Sequence, residues 1–181
     1  VKMLNGNLYV TECLGLSGGY TDPVLLKISR LAKENNINTI LIEQNFGGGM
    51  FAELLKPFIS RIHPCQIEDI RNNKTKELRI IDTLEPVMNS HRLIIDRKVI
   101  EKDFRSNPQE TPERRLKLQL VYQLSRISRH RGSLVHDDLV DSLAGAVAYW
   151  TEYMAQNEDL NMAKRQDELL SIHTDNWAYL L

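Results

Sequence analysis

The sequence predicts an α/β domain in which an antiparallel hairpin leads into parallel strands, with helices between the strands and at the C-terminal end. Three patterns indicate this: the turn signature Asn5-Gly6, a β-branched apolar run at 38–43 between two helical segments, and helically spaced apolar residues after residue 112. The chain has 181 residues, 42% hydrophobic and 26% charged. These values suit one globular domain and exclude a disordered tail or a collagen-like rod.

Five strands are predicted in four segments of the chain, the first of which forms a two-stranded hairpin. Residues 1–10 favour a hairpin because Asn5-Gly6 tolerates the positive φ of a tight turn and apolar residues alternate around it. We expect its second strand to run to about Leu14. The run at 38–43 is continuously apolar, as in a central strand of a parallel sheet. Shorter strands are expected at 65–70 and 93–95.

The helices are predicted from capping signals and apolar spacing. A helix begins at Asp22, where Thr21 can supply a capping side chain and Pro23 falls in the first turn, and Asn35-Asn36 ends it. Further helices are expected at 50–62, 74–89, 112–130 and 135–155. We divide the chain into a domain at 1–156 and a weakly helical tail at 157–181.

Charge distribution, cysteine spacing and the absence of two sequence patterns limit the kinds of protein that this chain can be. The net charge of −1 combines a basic block at 105–131 with an acidic block at 132–163 that contains no Lys or Arg. Cys13 and Cys65 lack metal-ligand spacing, which predicts buried thiols in a reducing compartment. The longest apolar stretch, 144–150, is far shorter than the roughly 18 residues of a membrane span. The phosphate-binding pattern of nucleotide-dependent motors is not present.

Glu43 is the first candidate for chemistry. It ends the apolar run at 38–43 and precedes the glycine-rich segment 44–49. Ligands of open α/β sheets gather outside the carboxyl ends of the strands, so Glu43 stands where a site is expected. A strand-terminal glutamate that simply faces water is an equally good explanation of its position alone.

The second candidate is an acidic cluster that opens the last predicted helix. It contains His136, Asp137, Asp138 and Asp141. Asp141 shares a helix face with both aspartates because the spacings are four and three. Crowded carboxylates repel one another unless a hard cation neutralises them, and Mg²⁺ or Mn²⁺ prefers such oxygen ligands. A first turn that merely complements the helix dipole is the alternative.

Basic residues flank this cluster in the sequence. Lys74, Lys76 and Arg79 open one predicted helix, and Arg129 and Arg131 stand at the end of another. Cations at a helix C-terminus are favourable by themselves. A basic rim beside carboxylates is also what a phosphodiester substrate requires, since the cations hold the backbone while metal ions hold the scissile phosphate.

Three sequence blocks together resemble the large subunits of phage terminases, most closely the DNA maturases of short-tailed phages. The residues at 41–51 (LIEQNFGGGMF) are similar to the second acidic motif of that family. The residues at 76–88 (KELRIIDTLEPVM) are similar to a long shared block, and those at 136–144 (HDDLVDSLA) resemble the final acidic motif. The match extends from the hairpin to about Trp150, in the family's order.

The resemblance implies a ribonuclease H-like fold, a mixed sheet flanked by helices, and a nuclease that cuts concatemeric double-stranded DNA with two Mg²⁺ or Mn²⁺ ions. It implies that Glu43, Asp137 and Asp138 are catalytic metal ligands, and that His136 and Asp141 complete or orient the metal set. Lys74, Lys76, Arg79, Arg129 and Arg131 are the expected DNA contacts. The implied partners are a motor ATPase domain, the small terminase subunit and the portal, without a membrane, in the cytoplasm of the bacterial host.

One feature of the family is not found in this sequence. Its first catalytic Asp lies on a strand that precedes the hairpin, and here the first Asp is Asp22 at a helix start. We therefore expect the first strand and one metal ligand to be missing from this chain. Two alternatives stay open: a junction-resolvase-like nuclease of the same fold, and an inactive module that binds DNA or docks on the capsid.

Overall fold

The computed structural model describes the backbone of residues 1–43, 49–71 and 75–177, and the side chains of these residues up to Gln156 and of Met162. The strands are β1 (Lys2–Leu4), β2 (Asn7–Val10), β3 (Thr39–Glu43), β4 (Gln66–Ile70) and β5 (Leu93–Ile95). The helices are α1 (Asp22–Glu34), α2 (Met50–Ile62), α3 (Lys76–Asn89), α4 (Arg97–Phe104), α5 (Pro112–Lys117), α6 (Leu120–Arg126) and α7 (Asp138–Trp177). In the described ranges, no helix combines the length and the hydrophobicity needed to cross a bilayer.

The strands form two small sheets. β1 and β2 make the predicted hairpin, in which Asn5 and Gly6 both adopt positive φ, and β5 joins β2 in parallel. This three-stranded sheet is mixed, as predicted. β3 and β4 pair in parallel as a second sheet, with Thr39 opposite Gln66 and Glu43 opposite Ile70. β2 ends at Val10, four residues before the predicted end.

β3 does not lie in the centre of a sheet in the described part of the chain. We predicted a central strand from the apolar run, but β4 is the one strand that pairs with β3 among the described residues. Thr39, Leu41 and Glu43, which alternate along β3 and so share one of its faces, line a cleft that residues 1–3 also line. For the described residues the prediction is wrong, because an apolar run reports burial on both faces of a strand and not the number of neighbouring strands.

Each sheet has its own hydrophobic core. The β3–β4 sheet packs on α1 and α2 through Leu25, Ala32, Leu55 and Ile59, with Ile40 and Ile67 partly buried against them. The three-stranded sheet packs on α3, α4, α6 and α7 through a larger cluster. Its buried members are Leu8, Val10, Ile80, Leu84, Val87, Val99, Leu120, Val140, Leu143, Ala144 and Val147.

The predicted helix at 112–130 is wrong. Two short helices replace it, α5 and α6, because Gln119 between them has extended backbone (φ −85°, ψ 138°). The Asp103 carboxylate accepts the N–H groups of Leu120 and Val121, at 2.8 and 3.1 Å, and so begins a new helix there. Because α6 ends at Arg126, Arg129 and Arg131 lie in the loop after it, not at a helix end.

Other helix boundaries differ by smaller amounts. α7 begins at Asp138, not at residue 135, and its backbone continues to Trp177, beyond the predicted end at 155. α4 was not predicted. Thr21 precedes α1 as expected, but its side chain makes no capping bond, and its backbone carbonyl accepts from Val24 and Leu25 instead. The domain boundary at residue 156 stays a prediction.

Candidate active site

A cleft of about 860 Å³ is lined by residues of both sheets and runs along β3 to its last residue. β1, β3, the end of β4, α3 and α7 contribute its walls. Its charged lining comes from four of these elements: Lys2 from β1, Glu43 from β3, Lys76 and Arg79 from α3, and Asp138 and Asp141 from α7. The cleft therefore brings together carboxylates that are about a hundred residues apart in the sequence.

Glu43 reaches the cleft because it is the last residue of β3. Its backbone is held by pairing with Ile70 of β4, and its side chain is half-buried. The glycine-rich segment at 44–48 that follows it in the sequence lies outside the described residues. The strand thus places the carboxylate at the carboxyl end of the sheet, where the sequence predicted a site.

The start of α7 is fixed by a buried glutamine. Oε1 of Gln123, which is 1% exposed, accepts hydrogen bonds from the backbone N–H groups of Leu139 and Val140 at 3.2 and 3.1 Å. These are two of the unpaired donors of the first helical turn. Val140 is itself buried in the main core. Asp138 and Asp141 therefore project from a helical turn that is fixed by the hydrogen bonds to Gln123 and by the packing of Val140.

Arg79 connects the two acidic motifs. Its Nη2 atom lies 2.6 Å from Oδ1 of Asp141 and 3.9 Å from Oε1 of Glu43. The side chains of Arg79 and Asp141 are only 13% and 11% exposed, so water screens this pair weakly. The Nε atom of Arg79 is buried and has no hydrogen-bond partner among the described residues.

Lys76 binds the other side of the cluster. Its Nζ lies 2.8 Å from Oδ1 of Asp137 and 3.2 Å from Oδ2 of Asp141. Burial disfavours the charged ammonium, but the hydrogen bonds to Asp137 and Asp141 outweigh it and raise the pKa of Lys76. Lys76 is therefore charged at neutral pH and neutralises the repulsion between two aspartates one helical turn apart.

The carboxylates suit a hard cation chemically but do not form a closed ligand set. Glu43, Asp138 and Asp141 line one cleft and supply the oxygen atoms that Mg²⁺ or Mn²⁺ prefers. Neither His136 nor Asp137 belongs to the lining. Within the described ranges, no three His, Cys, Asp or Glu side chains gather as a metal-binding group. In this arrangement Lys76 and Arg79 provide the positive charge.

The predicted DNA contacts fall into three groups. Lys76 and Arg79 touch carboxylates in the cleft. Arg129 is exposed and pairs with Asp82 and Glu85 of α3, at 3.1 and 3.2 Å, and Arg131 is exposed in the same loop. Lys74 lies outside the described residues. A DNA-binding role for these five residues stays a prediction.

The sequence reasoning missed two side chains that shape the site. Gln123 fixes α7, and Glu77 fixes the loop before it, since Oε1 of Glu77 accepts the N–H of Gly132 at 2.6 Å. This bond lowers the pKa of Glu77. Both residues look like ordinary polar helix positions in the sequence. The one available signal is that each interrupts an apolar helix face that turns out to be buried.

Comparison with known proteins places this geometry in context. Residues 1–93 match a family model described as "Terminase Bacteriophage T7, Ribonuclease H-like domain". The chain is also similar to the terminase large subunit of Enterobacteria phage T3, with 36% identity over 167 residues, which is 92% of this chain. It spans 28% of the length of that relative. The matched family region contains β3 and Glu43 and ends at Leu93, before α7.

Proposed function

Since the chain belongs to the T7-type terminase family with a ribonuclease H-like domain, we propose that it is the nuclease part of a terminase large subunit. Its substrate would be concatemeric double-stranded DNA, cut during phage DNA packaging. One observation carries this proposal: Glu43 of β3 and the first turn of α7 face the same cleft, joined by Arg79. Carboxylates from these two elements are what a cation-dependent phosphodiesterase must bring together.

Glu43, Asp138 and Asp141 are the residues that would hold Mg²⁺ or Mn²⁺, with Asp137 and His136 beside them. A bound divalent cation would supply an activated water and neutralise charge on the scissile phosphate. The chain's own contribution is positional. β3 and α7 are each anchored in a core, so their carboxylates stay at fixed places while the substrate binds.

A further carboxylate is needed to complete such a site. We expect it on a strand contributed from outside these 181 residues, lying between β1 and β3. Two features of the cleft support this: residues 1–3 and β3 both line it although the two strands do not pair, and Arg79 has a buried Nε donor without a described acceptor. Adding an upstream strand with one Asp should raise both Mn²⁺-dependent cleavage and the melting temperature, and no change in either would reject this expectation.

DNA would approach along the loop between α6 and α7. Glu77 holds this loop at Gly132, one residue after Arg131, and Glu77 is the sequence neighbour of Lys76. Arg131 therefore stands near the start of α3, while the exposed Arg129 lies further along α3, where it pairs with Asp82 and Glu85. We propose that the two arginines bind the DNA backbone, with Lys74 as a further contact. In the whole protein, the motor ATPase domain, the small subunit and the portal would be partners, in the host cytoplasm.

Plasmid cleavage tests the proposal directly. Supercoiled plasmid is incubated with the protein in Mn²⁺, in Mg²⁺ and in EDTA, and nicked and linear products are measured. We expect cleavage with the cations and none in EDTA, and loss of at least about tenfold in Glu43→Gln. Glu101→Gln is the matched control, since Glu101 is an exposed carboxylate paired with Arg97 on α4. Equal cleavage by both variants would contradict the proposal.

A non-catalytic module is the second candidate function. The observation that favours it is the ligand set: the described residues form no three-member metal group, and Lys76 and Arg79 bind the acidic cluster. Such a module would bind DNA or dock on the capsid. It predicts DNA retardation that is the same in EDTA and in Mn²⁺, with no cleavage in either.

A further inference from the structure

α3 places two cations on the acidic cluster from one side. Lys76 and Arg79 are three residues apart, so they project from the same face of the helix. The adjoining face is packed in the main core by Ile80 and Leu84, which are 0% and 3% exposed. The two basic groups therefore cannot leave the cluster by movement of the helix, and only their side chains can swing away.

Asp141 accepts both cations at once. Its Oδ1 atom lies 2.6 Å from Nη2 of Arg79, and its Oδ2 atom lies 3.2 Å from Nζ of Lys76. Each cation also reaches a second carboxylate: Arg79 reaches Glu43, and Lys76 reaches Asp137. A divalent cation that binds Asp141 must therefore displace one of the two basic groups or share an oxygen with it.

The two basic groups differ in how easily they can be displaced. The side chain of Lys76 is 41% exposed, while that of Arg79 is 13% exposed. A lysine ammonium is a hydrated point charge on a flexible stem, whereas a guanidinium is a rigid fork that can bridge two carboxylates. Lys76 can return to water at small cost, and Arg79 cannot.

We propose that Lys76 and Arg79 are internal counter-ions with separate roles: Arg79 is a positioning residue that keeps Glu43 beside Asp141, and Lys76 leaves Asp137 and Asp141 when a divalent cation binds. This inference rests on the proposed function for the identity of the ligand, and it assigns the two residues roles other than DNA binding.

Mn²⁺ affinity and thermal stability of the 181-residue chain test the proposal without an activity readout. Free Mn²⁺ is measured by electron paramagnetic resonance at constant ionic strength, and melting is followed in EDTA. Lys76→Met should tighten Mn²⁺ binding by about tenfold, because the competing charge is removed. Arg79→Met should weaken it by about tenfold, although it also removes a positive charge, because Glu43 and Asp141 separate.

The control and the conservative variant separate position from charge. Lys102→Met removes an exposed lysine that binds Glu12 on another part of the surface, so it should leave the Mn²⁺ affinity within about twofold of the starting protein. Arg79→Lys keeps the charge but carries it on a shorter, more flexible side chain than the guanidinium whose Nη2 atom lies near both carboxylates, so its Mn²⁺ affinity should lie between those of the starting protein and Arg79→Met.

Three results would overturn the proposal. If Lys76→Met binds Mn²⁺ no more tightly than Lys102→Met, Lys76 is not displaced. If Arg79→Met tightens binding as Lys76→Met does, Arg79 is a charge and not a positioning residue. If no variant binds Mn²⁺, the displacement step is wrong. If the predicted shifts appear but plasmid is not cut, the proposed function fails while this inference stands.

Discussion

Oε1 of Gln123 lies 3.1 Å from the backbone nitrogen of Val140, so a buried side chain of α6 caps a helix that begins fifteen residues later in the sequence. The same atom accepts from Leu139, and Nε2 donates to the backbone carbonyl of Lys117. One amide therefore joins α5, α6 and α7. The acidic cluster at the start of α7 takes its position from this contact.

Replacing Gln123 tests how much its hydrogen bonds to α5 and α7 contribute to stability. Gln123→Leu should lower the free energy of unfolding by about 1–3 kcal/mol, because two N–H groups in a buried place lose their acceptor. Urea unfolding measures the loss. Gln123→Glu keeps an acceptor oxygen for both N–H groups at a helix N-terminus, so it should lose less, and its remaining loss reflects the buried charge and the missing donor to Lys117. Equal losses in both variants would show that packing, not capping, dominates.

Asp103 should behave in the same way at the start of α6. Its side chain is 4% exposed and accepts from Leu120 and Val121. Asp103→Ala should cost about 1–3 kcal/mol in unfolding free energy. Asp96→Ala is the control, because Asp96 is an exposed cap that accepts from Lys98, and its loss should cost about 1 kcal/mol. The prediction is contradicted if Asp96→Ala is the more destabilising change.

Arg129 and Arg131 should contribute to DNA binding but little to stability. The double variant Arg129→Ala, Arg131→Ala should bind all DNA sequences more weakly, and the salt dependence should lose about one unit of slope per phosphate contact. Its unfolding free energy should fall by no more than about 1 kcal/mol, since the pairs of Arg129 are exposed. Arg97→Ala, another exposed ion-pair partner, is the control for binding. An unchanged salt slope would mean that the two arginines do not touch DNA.

Glu77 should make the free energy of unfolding depend on pH in the acidic range. The N–H of Gly132 lowers the pKa of Glu77 below its ordinary value of 4.5. A lowered folded-state pKa gives stability that is complete above the unfolded value and is lost as the pH falls through the folded one. The stability difference between the starting protein and Glu77→Gln should therefore be largest at neutral pH and shrink below about pH 4. Unfolding curves at a series of pH values measure it, and a constant difference would refute the prediction.

The two thiols should differ in reactivity. Burial raises the pKa of Cys13 to about 11 and also raises the pKa of Cys65. Only about 0.1% of Cys13 would be thiolate at pH 8, and the thiolate is the form that reacts. Iodoacetamide at pH 8 should therefore modify Cys65 before Cys13 in the folded protein. Mass spectrometry of peptides after timed labelling measures the order, and faster labelling of Cys13 would contradict it.

The sequence alone determined the features that depend on neighbours in the chain. The turn at Asn5-Gly6, the start of α1 before Pro23, and the bounds of α2 and β5 all follow from local signals. The candidate carboxylates could also be named, because Glu43 ends a strand and Asp137, Asp138 and Asp141 crowd one short segment. Steric limits on the backbone and hydrophobic spacing act within a few residues, so they can be recognised without the fold.

Only the tertiary structure decided the features that depend on residues far apart in the chain. Asp103 breaks the predicted helix at 112–130 because its carboxylate captures N–H groups of Leu120 and Val121, and no signal within that segment shows this. Likewise, Lys76 and Arg79 look like a basic rim in the sequence, but α3 packs against α7 and places both on carboxylates. The free energy of a buried hydrogen bond or ion pair depends on which groups the fold brings together and on how much water it removes from them, and the sequence order contains neither quantity.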